Sequence, residues 1–182
     1  MQEPYARIYR TLYTYHWWWR AREEFVVGSL RRCRIRPGGS VLDVGCGDGL
    51  FFDRLGEFGT VEGVEPDGQL VTEEGRRRGQ IHPCPFDESF RPGKTYSLIV
   101  MLDVLEHLPD PVGAVRHALS LLERGGTLFV TVPAFPVLWT AHDDHNCHYV
   151  RFTKESLVRV TQSACAKVIW CRYFVSVHGL WP

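Results

Sequence analysis

Apolar segments of strand length alternate with segments of helical periodicity along most of the chain. The predicted strands cover residues 41–44, 60–64, 80–84, 96–102, 127–132 and 167–177. The predicted helices that follow them cover residues 50–58, 69–78, 111–125 and 153–164. This alternation is typical of an α/β domain, and right-handed connections then give a doubly wound, mostly parallel, Rossmann-like sheet.

Local signals support three of these predicted elements. Residues 96–102 have the sequence YSLIVML, the near-continuous apolar composition of a central parallel strand. The helix that follows has Asp110 as a candidate cap, Pro111 in its first turn and Gly125 as its stop. Thr153 is the candidate cap of the last helix.

An aromatic segment precedes the first predicted strand. Tyr5, Tyr9 and Tyr13 share one helix face, and a His-Trp-Trp-Trp run follows at 16–19, so residues 5–34 are predicted to be helical. Three interpretations are open: a helix packed on the domain, a lid over an apolar substrate pocket, or an interfacial membrane anchor. We divide the chain into an N-terminal helical cap, residues 1–36, and a Rossmann-like domain, residues 37–182.

Composition narrows the class of protein. Among 182 residues, 21 Lys and Arg balance 21 Asp and Glu, which removes the basic surplus that non-specific nucleic-acid binding needs. No apolar run reaches the ~20 residues of a membrane helix, so we expect no integral membrane segment. The six cysteines are scattered without a CxxC pair, which predicts reduced thiols and a cytoplasmic location.

A glycine-rich turn, Gly45-Cys46-Gly47-Asp48-Gly49, follows the first strand and marks the candidate ligand site. Glu65 ends the second strand, where a carboxylate can accept hydrogen bonds from ribose hydroxyls. A dinucleotide site would need a third glycine where Leu50 stands, and Asp43 and Asp48 would repel a pyrophosphate. A cationic methionine group is favoured beside an aspartate, so the charges prefer S-adenosylmethionine over NAD.

Three motifs resemble those of class I S-adenosylmethionine-dependent methyltransferases. Residues 41–49 (VLDVGCGDG) resemble the first motif, and residues 64–67 (VEPD) resemble the ribose-binding motif. Residues 97–111 (SLIVMLDVLEHLPDP) resemble the fourth-strand motif of the small-molecule branch that includes ubiquinone-biosynthesis methyltransferases. Residues 16–22 and 142–153 also resemble a bacterial subgroup found near glycosyltransferases or fused to them.

The resemblance implies S-adenosylmethionine as the cofactor and S-adenosylhomocysteine as the product. It places the glycine turn against the methionine moiety, Asp43 at its amino end and Glu65 on the ribose hydroxyls. Met101 and Asp103 would lie beside the methyl donor. The implied cofactor-binding residues are Asp43, Gly45, Cys46, Gly47, Gly49, Glu65, Pro66, Phe86, Asp87, Met101 and Asp103.

Methyl transfer is an in-line displacement that needs a base only if the nucleophile must lose a proton. Candidate catalytic residues are Glu106, His107 and His148, and the first two have an alternative interpretation as a loop-capping pair. The candidate substrate-binding residues are His16, Trp19, Arg20, His148 and Arg151. The segment 142–148 is a pocket wall, a metal-ligand cluster or a surface loop, and we predict no metal because its spacing matches no standard zinc site.

The family sheet normally has seven strands, whereas six are predicted here, so we expect a missing strand and a shortened chain. An uncovered sheet edge favours pairing, in a homodimer or with a partner chain. The predicted function is methyl transfer to a small-molecule acceptor, such as a saccharide or a lipid-linked sugar. The alternatives are a non-catalytic S-adenosylmethionine-binding module and an NAD or nucleotide-sugar enzyme.

Overall fold

The computed structural model describes residue 13 and residues 15–174. Five strands form one parallel sheet in the order β3-β2-β1-β4-β5, which confirms the doubly wound Rossmann-like prediction. The strands are β1 (Gly39–Val44), β2 (Gly59–Val64), β3 (Gln80–His82), β4 (Tyr96–Leu102) and β5 (Leu122–Thr131). Because the strand order reverses between β1 and β4, the carboxyl ends of these two strands form the switch point at which such sheets bind ligands.

Six α-helices and two short 3₁₀ turns are described around this sheet. The helices are α1 (Trp17–Leu30), α2 (Phe52–Leu55), α3 (Glu73–Arg78), α4 (Pro111–Leu121), α5 (Ala141–His145) and α6 (Lys154–Ser163). The 3₁₀ turns are Leu105–His107 and Pro136–Leu138. Asp110 caps α4 by accepting from Gly113 N at 2.9 Å, and Thr153 caps α6 by accepting from Ser156 N at 3.1 Å, as predicted.

Both faces of the sheet carry buried apolar clusters. On one face, Val26, Val27 and Leu30 of α1 pack with residues of β1 and β4, so the N-terminal helix shares a core with the sheet. On the other face, Val115 of α4 lies in a larger cluster with residues of β1, β2 and β4. Burial on both faces explains the almost continuous apolar sequence of β4.

The strand predicted over residues 167–177 is wrong for residues 167–174, which form no regular structure, while 175–177 lie outside the described residues. Phe174 and Arg172 of this segment pack against α1, and Trp170 packs against Phe129 of β5. Phe174 stacks on Phe25 with ring centroids 4.0 Å apart, and the guanidinium of Arg172 lies 4.9 Å from the same ring. The aromatic residues of this segment therefore make side-chain contacts with both α1 and β5 without forming a strand.

Several predicted boundaries also move. The helix α4 ends at Leu121, before Gly125, and β5 begins at Leu122 with a register shift between Tyr96 and Leu98 of β4. The predicted positions Tyr5 and Tyr9 lie outside the described residues. Among the helices that the structure describes, none has the length and hydropathy needed to cross a bilayer.

Candidate functional site

The glycine turn after β1 leaves an opening at the carboxyl edge of the sheet. Gly45, Gly47 and Gly49 have φ angles of 72°, 54° and 66°, in the left-handed region that glycine adopts without strain. Gly45 N donates to Val64 O at 2.8 Å, which ties the turn to β2. A Cβ added at Gly47 would meet no atom within 4 Å, so a ligand can approach the backbone there.

Glu65 lies at the end of β2, and its carboxylate is oriented by two backbone donors. Gly47 N donates to Oε2 and Asp67 N donates to Oε1, both at 2.9 Å. Burial raises the pKa of Glu65, and these two hydrogen bonds oppose that shift. A carboxylate has about four acceptor positions, so Glu65 retains capacity for ligand hydroxyls. The next residue in the predicted motif, Pro66, is exposed.

Asp48 belongs to the scaffold of the turn. Its Oδ1 accepts from Thr72 N at 2.8 Å and from Thr72 Oγ1 at 2.7 Å, while Arg78 Nη1 lies 3.3 Å from its Oδ2. The side chain therefore connects the turn to both ends of α3. Cys46, in the same turn, is half-buried, and burial raises the pKa of its thiol well above the usual range.

Carboxylates from three strand ends lie around the opening. They are Asp43 at the end of β1, Glu65 after β2 and Asp103 after β4. Asp43 on β1 is 4% exposed, and burial raises its pKa to about 7, against the opposing effect of Arg22. Asp103, directly after β4, adopts a φ of 57° and accepts from Thr131 Oγ1 of β5 at 3.0 Å. Met101 is fully buried within β4 beside Val44 of β1. The opening is thus rich in carboxylate groups, which favours a ligand with positive charge.

Arg22 lies at the site although it is not among the residues predicted for it. Its Nη2 donates to Asp103 Oδ2 at 2.6 Å and lies 3.4 Å from Thr131 Oγ1, so α1 brings a guanidinium to the carboxyl edge. The ring of Trp19 lies 5.4 Å from this guanidinium. Arg22, Val26 and Leu30 follow four-residue spacing, and an arginine in line with buried apolar positions is the signal that could have found it.

The other predicted substrate-binding residues at α1 are His16 and Arg20. His16 Nδ1 accepts from Trp18 N at 3.3 Å and thereby caps the helix. Arg20 is exposed, because it lies two residues from Arg22 and points to another face of the helix.

Phe86 and Asp87, the predicted adenine contacts, follow β3. The ring of Phe86 lies 4.9 Å from that of His117 and 6.0 Å from that of Phe90. Asp87 accepts from Ser89 N at 2.8 Å and from Ser89 Oγ at 2.6 Å, which lowers the pKa of its carboxyl. Phe86 therefore packs against the larger apolar cluster of the sheet, and Asp87 shapes the loop that follows it.

Glu106, His107 and His148 converge beside the end of β4. One ligand atom from each lies within 4.8 Å of the others, an arrangement that could hold a metal ion. The rings of His107 and His148 stand edge to face with centroids 4.6 Å apart. Burial and the nearby Asp103 raise the pKa of Glu106 to about 9, and burial lowers the pKa of His107. Among the described residues, Oε2 of Glu106 has no hydrogen-bond partner.

The segment after β5 encloses Asp143, which is fully buried. Arg151 binds both oxygens of Asp143, at 2.7 and 2.9 Å, and also donates to Ala134 O at 3.3 Å. His148 Nδ1 lies 2.9 Å from Asp143 Oδ1. The predicted substrate residue Arg151 thus has its guanidinium engaged with Asp143, and of the segment 142–148 only His148 joins the convergent group.

A separate cavity of about 500 Å³ lies on the β2–β3 side of the sheet. Its lining includes Glu62, Arg78 and Lys94 but none of the predicted site residues. Lys94 forms an ion pair with Glu62, and His82 Nε2 lies 2.8 Å from the same carboxylate. The cavity is therefore not the opening above the glycine turn.

Comparison with known proteins agrees with this geometry. A family profile described as a methyltransferase domain matches residues 18–164. The ubiquinone biosynthesis O-methyltransferase of Xanthomonas campestris pv. campestris (strain B100) is 34% identical over 109 residues, which cover 52% of this chain and 43% of that relative. The chain thus spans less than half the length of the curated relatives it matches.

Two solved structures share the fold. The crystal structure of Streptomyces venezuelae DesVI matches with a TM-score of 0.63 and 28% identity, over 77% of this chain and 62% of DesVI. The S-adenosylmethionine-bound CalS10 from Micromonospora echinaspora, described as an amino pentose methyltransferase, has a TM-score of 0.60 and 22% identity, over 77% of this chain and 60% of CalS10. The profile covers most of the chain, and the parallel sheet with its glycine turn agrees with it. The chain therefore belongs to the class I S-adenosylmethionine-dependent methyltransferase family.

Proposed function

We propose that this chain binds S-adenosylmethionine at the glycine turn and transfers its methyl group to a small-molecule acceptor. The observation that carries this proposal is the pairing of the open backbone at Gly47 with the buried Glu65 carboxylate, which the same backbone orients at 2.9 Å. When bound, S-adenosylmethionine supplies an electrophilic methyl group on a sulfonium sulfur. The chain contributes alignment and exclusion of water.

The charges around the opening suit the methionine end of this cofactor. Asp43 and Asp103 favour the ammonium and sulfonium groups of the cofactor. Arg22 is positioned to pair with the carboxylate of its methionine moiety. Glu65 would accept from the ribose hydroxyls, and Phe86 would border the adenine. In this arrangement α1 acts as the cap of the site, since it delivers Arg22 and Trp19 to the carboxyl edge.

The residues beyond the end of β4, where the methyl acceptor would bind, support transfer to oxygen or nitrogen. His107 and His148 lie beyond the end of β4, and an imidazole can accept the proton that an O–H or N–H nucleophile loses. The named activities of the relatives point the same way, since one is an O-methyltransferase and another acts on an amino pentose. We therefore infer a polar metabolite with a hydroxyl or amino group, such as a sugar, as the acceptor class.

The test is calorimetric titration of the purified chain with S-adenosylhomocysteine, with NAD as the control ligand. We expect binding of the first and none of the second. Glu65→Ala should weaken binding by about 1–3 kcal/mol, or roughly 5- to 150-fold, because the ribose hydroxyls lose their acceptor. Glu57→Ala is the matched control, since Glu57 pairs with Arg31 on the surface at 2.6 Å.

The outcomes separate the alternatives. A folded chain that binds NAD instead would overturn the proposal in favour of a dinucleotide enzyme. Binding of S-adenosylhomocysteine without turnover of S-adenosylmethionine on panels of sugars and phenols would favour a non-catalytic binding module. Equal losses in the Glu65 and Glu57 variants would remove Glu65 from the site.

A further inference from the structure

The buried Asp143 carboxylate has a hydrogen-bonding role that none of the proposed cofactor contacts uses. It accepts from Thr140 N at 2.8 Å, from Thr140 Oγ1 at 3.1 Å and from two nitrogens of Arg151 at 2.7 and 2.9 Å. Arg151 is the main cause that lowers the pKa of Asp143 far below its usual range. Asp143 is therefore ionised at physiological pH, and its lowered pKa makes it too weak a base to be the proton acceptor of the reaction.

An ionised carboxylate can only accept hydrogen bonds, which fixes the state of the imidazole next to it. His148 Nδ1 lies 2.9 Å from Asp143 Oδ1, so Nδ1 must carry a proton. In the neutral ring the lone pair is then on Nε2. The backbone strengthens this arrangement, because His148 N also donates to Asp143 O at 3.0 Å.

The surroundings of the ring place it at the acceptor side of the site. The His148 side chain is 10% exposed, and its ring faces His107, which directly follows Glu106 in the 3₁₀ turn beyond β4. Tyr149 N donates to Glu106 O at 2.7 Å, which holds the segment of His148 against that turn. The charged and titratable groups around His148 are thus Asp143, Arg151, His107 and Glu106.

We propose that Asp143 is a positioning residue that fixes His148 as the base of the methyl transfer, while Arg151 holds the Asp143 carboxylate in place. This inference rests on the proposed function. His148 Nε2 takes the proton of an acceptor O–H or N–H as the acceptor lone pair forms the bond to the methyl carbon. The carbon–sulfur bond breaks with its electron pair left on sulfur. The Asp143–Arg151 pair carries no net charge, so it orients the ring without adding a full negative charge beside it.

The test is ¹⁵N NMR of the imidazole nitrogens in the full chain, with His148→Gln to assign the resonances. We expect His148 in the Nδ1–H tautomer, and loss of that preference in Asp143→Asn. Asp144→Asn is the matched control, because Asp144 follows Asp143 in α5 and its carboxylate binds Trp139 Nε1 at 2.9 Å instead. The wild-type spectrum alone decides the tautomer if the Asp143 variant does not fold.

A second arm adds S-adenosylhomocysteine and compares His148 with His142, which is exposed on α5. We expect the Nε2 resonance of His148 to shift and that of His142 to stay. An Nε2–H tautomer, equal effects of the two aspartate variants, or an unmoved His148 in a sample that calorimetry shows to bind would each overturn the proposal. One equivalent of metal in the purified protein would also overturn it, since Nε2 would then be a ligand. Failure to bind S-adenosylhomocysteine would refute the cofactor assignment while leaving the tautomer result readable.

Discussion

Asp43 lies on β1 just before the glycine turn, and burial raises the pKa of its carboxyl to about 7. The ammonium group of the ligand favours an ionised carboxylate beside it, so binding must compete with protonation of Asp43 below this pH. We expect the affinity for S-adenosylhomocysteine to fall between pH 8 and pH 6, approaching about tenfold per unit below the pKa. Calorimetry at several pH values, in buffers of different ionisation enthalpy, measures both the affinity and the proton released.

Asp43→Asn removes the titrating group and should flatten this pH profile at a weaker affinity. Asp53→Asn, on an exposed position of α2, is the control and should keep the wild-type profile. A wild-type affinity that does not change between pH 6 and pH 8 would mean that Asp43 does not face the ammonium group.

Burial of Glu106 predicts that the stability of the folded chain depends on pH. Its pKa is raised to about 9 in the folded chain, mainly by burial and then by Asp103, against 4.5 for an ordinary glutamate. The stabilising effect of the neutral acid is complete below about pH 4.5 and is lost as the pH rises through 9. We predict that Glu106→Gln, which stays neutral, gains stability relative to the wild type between pH 6 and pH 9.

Thermal unfolding across that range measures the difference, which should vanish near pH 4.5. Glu57→Gln provides the comparison, since the Glu57 carboxylate lies on the surface, where it pairs with Arg31. A constant difference between Glu106→Gln and the wild type at all pH values would show that Glu106 titrates normally.

Residue patterns in the sequence identified the groups whose position follows from one local motif. Asp43 lies at the end of β1, Gly47 in the turn that follows and Glu65 directly after β2, so the parallel sheet alone brings them to one edge. The contact between Arg22 and Asp103 joins residues 81 positions apart and depends on how α1 packs. The pairing of Asp143 with Arg151 likewise depends on how residues 140–151 fold, which no local motif in that segment specifies.

At the scale of elements, Asp48 couples the glycine turn to α3 through Thr72. Thr72 Oγ1 accepts from Gly75 N at 3.2 Å and donates to Asp48 Oδ1 at 2.7 Å, so one hydroxyl serves as helix cap and turn anchor. We expect Thr72→Ala to destabilise the chain by about 1–2 kcal/mol and to weaken cofactor binding. Thr72→Ser keeps the hydroxyl and should retain both properties.

Chemical denaturation and calorimetry on the two variants make this comparison. If Thr72→Ala lost stability but bound S-adenosylhomocysteine as tightly as the serine variant, α3 would be independent of the turn. A six-residue helix gains little stability from its own backbone, so α3 depends on its hydrogen bonds to the turn.

The order of elements followed from the sequence more reliably than their ends did. Alternating strands and helices and the right-handed connection were enough to predict the parallel sheet around β1 and β4. Helices at the edges were predicted too long, as with α3, which starts at Glu73 because Thr72 is held by Asp48. The segment after Ala166 was predicted as a strand because its apolar sequence does not distinguish a strand from an irregular segment whose side chains pack on the domain.

At the scale of the whole molecule, the site is assembled from segments distant in the sequence. The β1 and β4 ends supply the glycine turn and the Asp103–His107 segment, and their adjacency follows from the strand order. The helix α1 and residues 140–151 close over that edge by tertiary contacts, with Arg22 on one side and His148 on the other. A ligand that touches all of these segments would link their folding.

Binding at such a site should therefore stabilise the entire chain. At a ligand concentration about 100 times Kd, binding contributes about 2.7 kcal/mol to the folded state. For a chain of this size, each 1 kcal/mol shifts Tm by about 2–4 °C, so S-adenosylhomocysteine should raise Tm by roughly 5–10 °C. NAD should leave Tm unchanged, and Glu65→Ala should reduce the shift at a fixed ligand concentration.

Differential scanning fluorimetry gives these shifts, and hydrogen exchange shows where the stabilisation falls. Because Arg22 joins α1 to Asp103, ligand-induced protection should extend into Trp17–Leu30 as well as the turn after β1. In Arg22→Lys, which keeps the charge but lacks the planar guanidinium, protection should remain at the turn and decrease in α1. Protection confined to the turn in the wild type would mean that α1 packs on the sheet without taking part in binding.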